Sequence, residues 1–481
     1  MNQFVKSWAA GLVLVACGCS GVLADDEASL DAPKPGELFQ YTRAVVKEYP
    51  HIAQSMSSSK HDGFGGPSSR VIAHHMASRT SEEARQDVRE MMDVQQIDSR
   101  TWFIVMPWVN VAVMETDEGL LLLDTGYAPA GPVLIDVLKE LSEKPLHTIV
   151  FTHHHLDHAY GAWAFQQAGL TPRIIASDAF LTEMGLDVQL ANFANARMNN
   201  QDPRDIPRTM AEMVAPTETF TGTKSLVMGG ETFVLHTARG ETEDHVWIHA
   251  PERNIVVSGD FHQPFLPNAG NGKRRQRHID EWAQALRAMA ATKPDTLLPM
   301  HGPVIQGADL VQEKLDTVAS AFESIVAQVT QGLNAGMSQD AIIHSVELPP
   351  ELKDHPDLDP YYNTVTDLAK MAVRQYTGWW DGVPSHWQAP RTRTIALAVI
   401  EAAGGIDAFL EKTQAMMASD IAIASQFADW ALEAYPRNRA VLDLSMDVYA
   451  KRIVPGTPLN EISVYLGHMA ELKWRMARLD Q

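Results

Sequence analysis

The feature that most constrains this chain is a run of metal-binding residue types placed directly after an apolar segment of strand composition. The run is THHHLDH at residues 152–158. His153 and His155 are two residues apart at a strand end and can face one metal ion, while Asp157 and His158 on the following turn can face a second. Nitrogen and oxygen ligands of this kind suit zinc. Because histidine-rich runs also occur as weak metal traps, the prediction of a site needs support from elsewhere in the chain.

That support comes from two later strand ends. Asp260 follows one predicted strand in the segment SGD, and His301 follows another in the segment PMHG. Predicted strands and helices alternate between about residues 102 and 299, which indicates layered α/β packing. Several strand ends therefore deliver ligand-type residues to one edge of the fold, and the sequence predicts a metal centre there.

Together the three motifs resemble those of the metallo-β-lactamase superfamily. The resemblance implies a four-layer αββα sandwich with two zinc ions at one edge. It assigns His153 and His155 to the first zinc, Asp157, His158 and His301 to the second, and Asp260 to a position between the two. The third ligand of the first zinc departs from the common pattern, because Glu241 stands where many members have a histidine. His245, four residues later, is interpreted as support from outside the ligand shell.

Glu241 points to the alkyl and aryl sulfatase branch of this superfamily, which also uses a glutamate at that position. A second match lies in the later half, where VRQYTGWWDGVP at residues 373–384 resembles the signature of the alkyl sulfatase dimerisation domain. After about residue 308 no strand is predicted. The resemblance therefore implies an all-α dimerisation domain after the sandwich, a homodimer, and a sulfatase that cleaves alkyl or aryl sulfate esters with a metal-bound hydroxide.

A basic stretch, KRRQRH at residues 273–278, follows Asp260 in a chain whose formal net charge is −21. A sulfate ester is anionic, so its hydrolysis needs positive groups at the sulfate and an acid for the leaving group. By resemblance to the sulfatases, we predict that Arg274 and Arg277 bind the anion and that His278 protonates the leaving group. Asp157 and Asp260 are the predicted catalytic carboxylates. A solvated surface loop accounts for the same composition equally well.

Composition excludes other classes of function. Lys+Arg number 39 against Asp+Glu 60, a balance that opposes binding of nucleic acid. The two cysteines, Cys17 and Cys19, lie in an apolar N-terminal segment that resembles an export signal cleaved after Ala24. The segment LVAC, ending at Cys17, also resembles a lipobox. We therefore expect an exported, periplasmic protein, either free or tethered to a membrane through Cys17.

The predicted organisation has four parts. They are an export signal at residues 1–24, an N-terminal arm at 25–100, the catalytic sandwich at 101–307 and the helical dimerisation-like domain at 308–481.

Two other functions stay open at the level of sequence. The chain ends at Gln481 without the sterol-carrier-like domain typical of the resembling family, and residues 195–200 carry one displaced arginine where that family tends to have a pair. Both departures concern substrate binding, so the same metal site could hydrolyse a neutral lactam, lactone or thioester. The non-enzymatic alternative is a zinc-storing or scaffold protein whose helical half contacts a partner.

Overall fold

The computed structural model describes residue 33 and residues 37–57, 75–193 and 205–479. The predicted export signal at 1–24, with Cys17, and the segment at 195–200 lie outside these ranges. Within the described part of the chain, no helix is both long enough and apolar enough to span a membrane.

Seven strands form the first sheet, and their spatial order is their order in the chain. The first four pair antiparallel, and the fourth to seventh pair parallel. The leucines of β4 are all buried, as expected for a strand covered on both faces. The strands are β1 Asp93–Asp98, β2 Thr101–Val105, β3 Asn110–Thr116, β4 Gly119–Leu123, β5 Leu146–Val150, β6 Arg173–Ser177 and β7 Glu218–Phe220.

Six strands form the second sheet, in the order β13-β12-β11-β10-β9-β8. They are β8 Thr223–Met228, β9 Glu231–Thr237, β10 Val246–Ala250, β11 Ile255–Gly259, β12 Thr296–Pro299 and β13 Ile305–Gln306. β11 and β12 are parallel, and Gly259 pairs with Pro299. Because the carboxyl ends of these neighbouring strands lie side by side, the residues that follow them, Asp260 and His301, are brought to the same edge.

The second sheet has two buried faces, and alternate residues of its strands point to different cores. Val257 and Leu298 belong to the core shared with the first sheet, whereas Val256 and Leu297 belong to the core on the opposite side. Helices cover the outer face of each sheet. The order of layers is therefore helix, sheet, sheet, helix, which confirms the predicted αββα sandwich.

The helices on the side of the first sheet are α3 Glu82–Met91, α4 Ala130–Leu141, α5 Leu156–Ala159, α6 Ala162–Gln167 and α7 Phe180–Gln189. Those on the side of the second sheet are α8 Ile279–Ala291, α9 Ala308–Asn334, α10 Gln339–Ser345 and α11 Val365–Tyr376. The sequence places α9 to α11 in the helical domain, yet they supply the outer layer of the sandwich. The domain boundary at 307/308, between β13 and α9, stays a prediction.

A separate apolar core is built by the last helices of the chain, which confirms the all-helical C-terminal region. They are α12 Thr392–Ala402, α13 Ile406–Ser419, α14 Ile421–Ala434, α15 Arg439–Arg452 and α16 Leu459–Leu479. Two N-terminal helices join this core, α1 Glu37–Glu48 and α2 Pro50–Ser57, with Val45 and Ile52 fully buried in it. Glu37 also pairs with Arg478 at 3.0 Å. Residues 37–57 of the predicted arm are thus anchored by apolar contacts to the opposite end of the chain, whereas α3 and β1, within its residues 82–98, belong to the side of the first sheet.

Candidate metal centre

The THHHLDH run follows the carboxyl end of β5, and α5 begins within it, at Leu156. Asp157 and His158 therefore lie in the first turn of a short helix, while His153 and His155 lie on the loop before it. His153 and His158 are fully buried. The run consequently places its ligand residues on both the loop and the helix that follow β5.

Asp157, His158 and His301 form one group whose ligand atoms all lie within 4.8 Å of one another. The Asp157 Oδ2 atom is 3.5 Å from the Nε2 atoms of both His158 and His301. This group is the set of residues that the sequence predicts for the second metal ion.

Asp260 lies between the two predicted metal positions. Its Oδ1 atom is 3.3 Å from Nε2 of His158, and its Oδ2 atom is 3.1 Å from Nε2 of His301. Oδ2 is also 3.9 Å from Nε2 of His153. Because its Oδ2 atom is close to a histidine of each predicted set, His153 and His301, this carboxylate is in a position that could be shared by two metal ions.

Two histidines of the centre are held in orientation by hydrogen bonds from their Nδ1 atoms. The Nδ1–H group of His158 donates to Asp124 at 2.8 Å, and that of His301 donates to the Trp108 carbonyl at 2.7 Å. In each ring the Nε2 atom is thereby left to face Asp260, an arrangement characteristic of metal-ligating histidine. Asp124 and Trp108 both have positive φ, 61° and 78°, a strained conformation that accumulates at functional sites.

The chemistry of this group of donor atoms fits a divalent metal ion. His158 Nε2 and Asp260 Oδ1 are buried and have no hydrogen-bond partner, although unpaired buried polar atoms are costly. Burial disfavours the charged form of His158, but Asp260, Asp157 and Asp124 raise its pKa well above the usual value. The carboxylates therefore favour a cation at this point, and a bound metal ion would replace the proton.

His153, His245 and Asp260 form another group of residues that could hold a metal ion. The rings of His153 and His245 stack with centroids 4.3 Å apart, and His155 Nδ1 is 2.9 Å from His153 Nε2. His245 Nε2 accepts from the Asp260 amide at 3.1 Å, whereas its buried Nδ1 has no hydrogen-bond partner. Burial lowers the pKa of His245 to about 4, so its ring is neutral at pH 7, the form that binds metals.

Glu241, the predicted ligand of the first zinc, lies next to this group but is held by other side chains. Arg277 pairs with it at 2.7 Å, Asn268 donates to it at 3.3 Å and Gln263 at 3.5 Å. Burial raises the pKa of Glu241 to about 7, and the neighbouring Asp260 adds to this increase against the opposing effect of Arg277. The loop between β9 and β10 thus brings both Glu241 and His245 to the site, whereas the sequence favours only the glutamate as a ligand.

The turn after β11 requires glycine at position 259. Gly259 has φ +57°, and a Cβ atom there would lie 2.7 Å from His245 Nε2. The absence of a side chain at Gly259 therefore allows the backbone of Asp260 to approach the His245 ring.

The basic stretch does not present all its side chains to the metal centre. Arg277 is buried against Glu241, and Arg275 pairs with Glu183 at 2.7 Å. His278 Nε2 is 2.8 Å from Glu243 Oε1, a carboxylate outside the predicted ligand set. The role of His278 stays a prediction.

Arg274 is the predicted anion-binding residue whose guanidinium forms no ion pair or hydrogen bond with another side chain in the described part of the chain. Burial lowers the pKa of Arg274, whereas the carboxylates of Asp187, Glu241 and Asp157 act in the opposite direction. Two of these three belong to the predicted metal ligands. The guanidinium is therefore within electrostatic range of the metal centre and is still available to an anion.

His154, in the middle of the histidine run, belongs to a different network. Its backbone N–H and its Nδ1–H both donate to Asp244 at 2.9 Å. Glu183 is the third member of the group and is already paired with Arg275. This network of compensated charges fixes the loop that carries His153 and His155.

Three residues that support the centre are not predicted from the sequence. Asp124 follows buried β4 and accepts hydrogen bonds from Thr152 as well as His158; an aspartate directly after a buried strand is the signal that could have identified it. Asn268 and Tyr362 have no such local signal. Burial raises the pKa of Tyr362 well above its usual value, and Tyr361, Glu241, Asp157 and Asp260 raise it further, which places this residue of the helical half near the centre.

Comparisons with known proteins identify two families along the chain. The Metallo-beta-lactamase superfamily matches residues 109–301, and the family described as Alkyl sulfatase dimerisation matches residues 338–474. The solved structure of the stereoselective inverting sec-alkylsulfatase Pisa1 from Pseudomonas sp. superposes with a TM-score of 0.71, covering 92% of this chain and 78% of that one. At 20% sequence identity this likeness shows the fold.

The matches to curated relatives cover smaller shares of both chains than the match to the solved structure does. A linear primary-alkylsulfatase of Pseudomonas sp. is 25% identical over 391 residues, which cover 76% of this chain and 74% of that protein. An (R)-specific secondary-alkylsulfatase of Pseudomonas sp. is 24% identical, covering 70% of this chain and 56% of that protein. An alkyl/aryl-sulfatase of Saccharomyces cerevisiae is 22% identical, covering 63% and 51%. The chain therefore spans about half the length of the last two.

Substitutions of Glu241 and of His245 are expected to change the zinc content differently. We expect Glu241→Gln to reduce zinc from about two to about one ion per chain and His245→Ala to retain about two, because His245 Nε2 is already bonded to the Asp260 amide. Elemental analysis after dialysis against trace zinc measures both. The opposite pattern, with loss in His245→Ala alone, would assign the ligand position to the histidine.

Proposed function

The chain combines a metallo-β-lactamase superfamily domain with an alkyl sulfatase dimerisation domain, and from this premise we propose that it is a dinuclear zinc hydrolase of alkyl or aryl sulfate esters. The observation that supports the proposal most strongly is the position of Asp260, whose carboxylate lies within 3.9 Å of His158 and His301 from the second predicted ligand set and of His153 from the first. The curated relatives that match are named as alkylsulfatases or alkyl/aryl-sulfatases, which supports a sulfate ester as the substrate class.

The proposed ligand sets are His153, His155 and Glu241 for the first ion, Asp157, His158 and His301 for the second, and Asp260 for both. Two zinc ions there would supply Lewis acidity toward an ester oxygen and a water molecule of lowered pKa. The chain's own contribution is orientation. His158 and His301 are fixed by Asp124 and by the Trp108 carbonyl, so the ligand atoms need little reorganisation when the metal binds.

Arg274 is the residue we propose for recognition of the sulfate group. A guanidinium can donate two parallel hydrogen bonds to an oxyanion, which gives both charge compensation and orientation. Arg275 and Arg277 are paired with Glu183 and Glu241, whereas Arg274 is not engaged in this way. This difference supports Arg274 as the main anion-binding residue, with Arg277 in a secondary role.

A homodimer is proposed from the helical half. The dimerisation family matches residues 338–474, and within that range residues 378–395 are all exposed. Trp379 is 75% exposed and Trp387 58%, and their rings contact each other with centroids 5.1 Å apart. Because exposed aromatic clusters of this kind mark interfaces, we propose that the aromatic segment 378–387 contacts a second copy of the chain.

Substrate class is tested with purified, zinc-loaded protein and a panel of alkyl sulfates of different chain lengths, an aryl sulfate, a β-lactam, a lactone and a thioester. We expect release of inorganic sulfate from at least one ester and no hydrolysis of the neutral compounds. Absence of sulfate release from every ester at full zinc loading would exclude the sulfatase. Hydrolysis of a lactam, lactone or thioester instead would favour the neutral-substrate alternative.

The same assay with Arg274→Ala isolates the anion site. Loss of a preorganised donor to transition-state charge lowers kcat/KM by about 100-fold, and we expect a change of that size without loss of zinc. Arg89→Ala is the matched control, because Arg89 forms only an exposed ion pair with Glu82, and such pairs contribute little. Equal activity of Arg274→Ala and wild type would remove Arg274 from the proposed site.

The dimer contact is tested by replacing Trp379 and Trp387 together with alanine and measuring molar mass by light scattering. We expect the wild type to be dimeric and the double variant to shift toward monomer, because central aromatic residues contribute most of the binding energy of an interface. Val227→Ala, which shortens another exposed apolar side chain, controls for a general effect on solubility. A double variant that stays dimeric at the same concentrations would contradict this interface.

A further inference from the structure

Asn268 connects the C-terminal helix with the metal centre. It lies in the loop after β11, and its Nδ2 group donates to Glu241 Oε1 at 3.3 Å. Its Oδ1 atom accepts from Nδ2 of Asn460 at 3.1 Å, and Asn460 lies in the first turn of α16. One side chain therefore joins the helical half to the buried carboxylate beside Asp260.

The direction of these hydrogen bonds is determined by the carboxylate. As a ligand of a metal ion Glu241 is ionised and can only accept, so Asn268 must turn its NH2 group toward it. Its carbonyl oxygen then faces α16 and needs a donor, which Asn460 provides. Each amide thus donates toward the metal centre: a donor at position 460 favours this orientation of Asn268, whereas an acceptor there would favour the reverse.

The same loop is held by the helical half at several other points. Asn363 Oδ1 accepts from the Gly270 amide at 3.0 Å, and the Met371 carbonyl accepts from Gln276 at 3.0 Å. Lys273 donates to Ser463, in α16. The Asn268 carbonyl also accepts from Arg277, the ion-pair partner of Glu241. The position of α16 therefore affects the position of the loop and, through Asn268, that of Glu241.

We infer that Asn460 and Asn268 are positioning residues that together hold Glu241 toward Asp260 as a ligand of the first metal ion. The inference rests on the proposed function in that it takes Glu241 as a zinc ligand. Glu241 is only 7% exposed, so loss of a donor leaves a buried carboxylate oxygen poorly satisfied and free to turn. The helical half then contributes to the hydrolytic site of its own chain in addition to any contact with a second copy.

An isosteric substitution separates this role from packing. In Asn460→Asp the donor becomes an acceptor, so Asn268 turns its NH2 group toward α16 and its carbonyl oxygen toward Glu241, which repels the carboxylate. Asn460→Ala removes the contact but leaves Asn268 free to keep its orientation. Since partners outside the ligand shell contribute about 10- to 100-fold to metal affinity, we expect the aspartate variant to bind one of two zinc ions at least about tenfold more weakly. For the alanine variant we expect a loss of less than about threefold.

Zinc affinity is measured by competition with a chelator of known affinity, with circular dichroism to verify folding. Asn438→Asp is the matched control, because Asn438 caps α15 from a distant surface and aspartate caps a helix equally well. If Asn460→Asp does not fold, Asn268→Asp replaces it: that change keeps the acceptor for Asn460 and places a carboxylate against Glu241, with the same expected loss of one zinc.

Several results would overturn the inference. A loss in Asn460→Ala that equals or exceeds the loss in Asn460→Asp would show that the contact acts only through packing. Wild-type protein that binds a single zinc ion, unaffected by Glu241→Gln, would show that Glu241 is not a ligand. Sulfate release is not used as the readout, so the proposed function can fail separately: a protein that binds two zinc ions but releases no sulfate would still test the role of Asn460.

Discussion

The rest of the centre depends on a buried carboxylate, that of Asp260, surrounded by imidazoles. A carboxylate removed from water needs positive charge or hydrogen-bond donors close by. Burial raises the pKa of Asp260, but His301, His158 and His153 outweigh this effect and hold the pKa well below its usual value. The parallel pairing of β11 and β12 supplies this geometry, because it places Asp260 beside His301 and opposite the loop that follows β5.

Residues from several parts of the fold orient the predicted ligands through hydrogen bonds. Asp124 after β4 orients His158, the backbone carbonyl of Trp108 orients His301, and Asp244 fixes the loop through His154. From the helical half, Asn460 reaches Glu241 through Asn268. The αββα sandwich therefore provides the ligands, and residues distant in sequence provide their orientation. This division explains why the helices after residue 308 matter to a site whose predicted ligands all precede them.

Much of the fold, and the residues that meet at the candidate site, could be predicted from sequence because the signals are local. The THHHLDH run, Asp260 and His301 each follow an apolar strand, and strand ends meet at one edge. The resemblance assigns the ligand position to Glu241, whereas the proximity of both Glu241 and His245 to Asp260 results from the packing of their shared loop, which no local pattern encodes. The pairing of Arg277 with Glu241 and the docking of α1 on the last helix are contacts across long sequence separations, which no local pattern encodes.

We propose that Asp260 lies between two metal ions. Diffraction from zinc-loaded crystals at wavelengths on both sides of the zinc absorption edge would locate them. We expect two anomalous peaks, one on each side of the Asp260 carboxylate, with His153 beside the first and His158 and His301 beside the second. A single peak at full zinc loading, or two peaks of which only one contacts Asp260, would contradict the proposal.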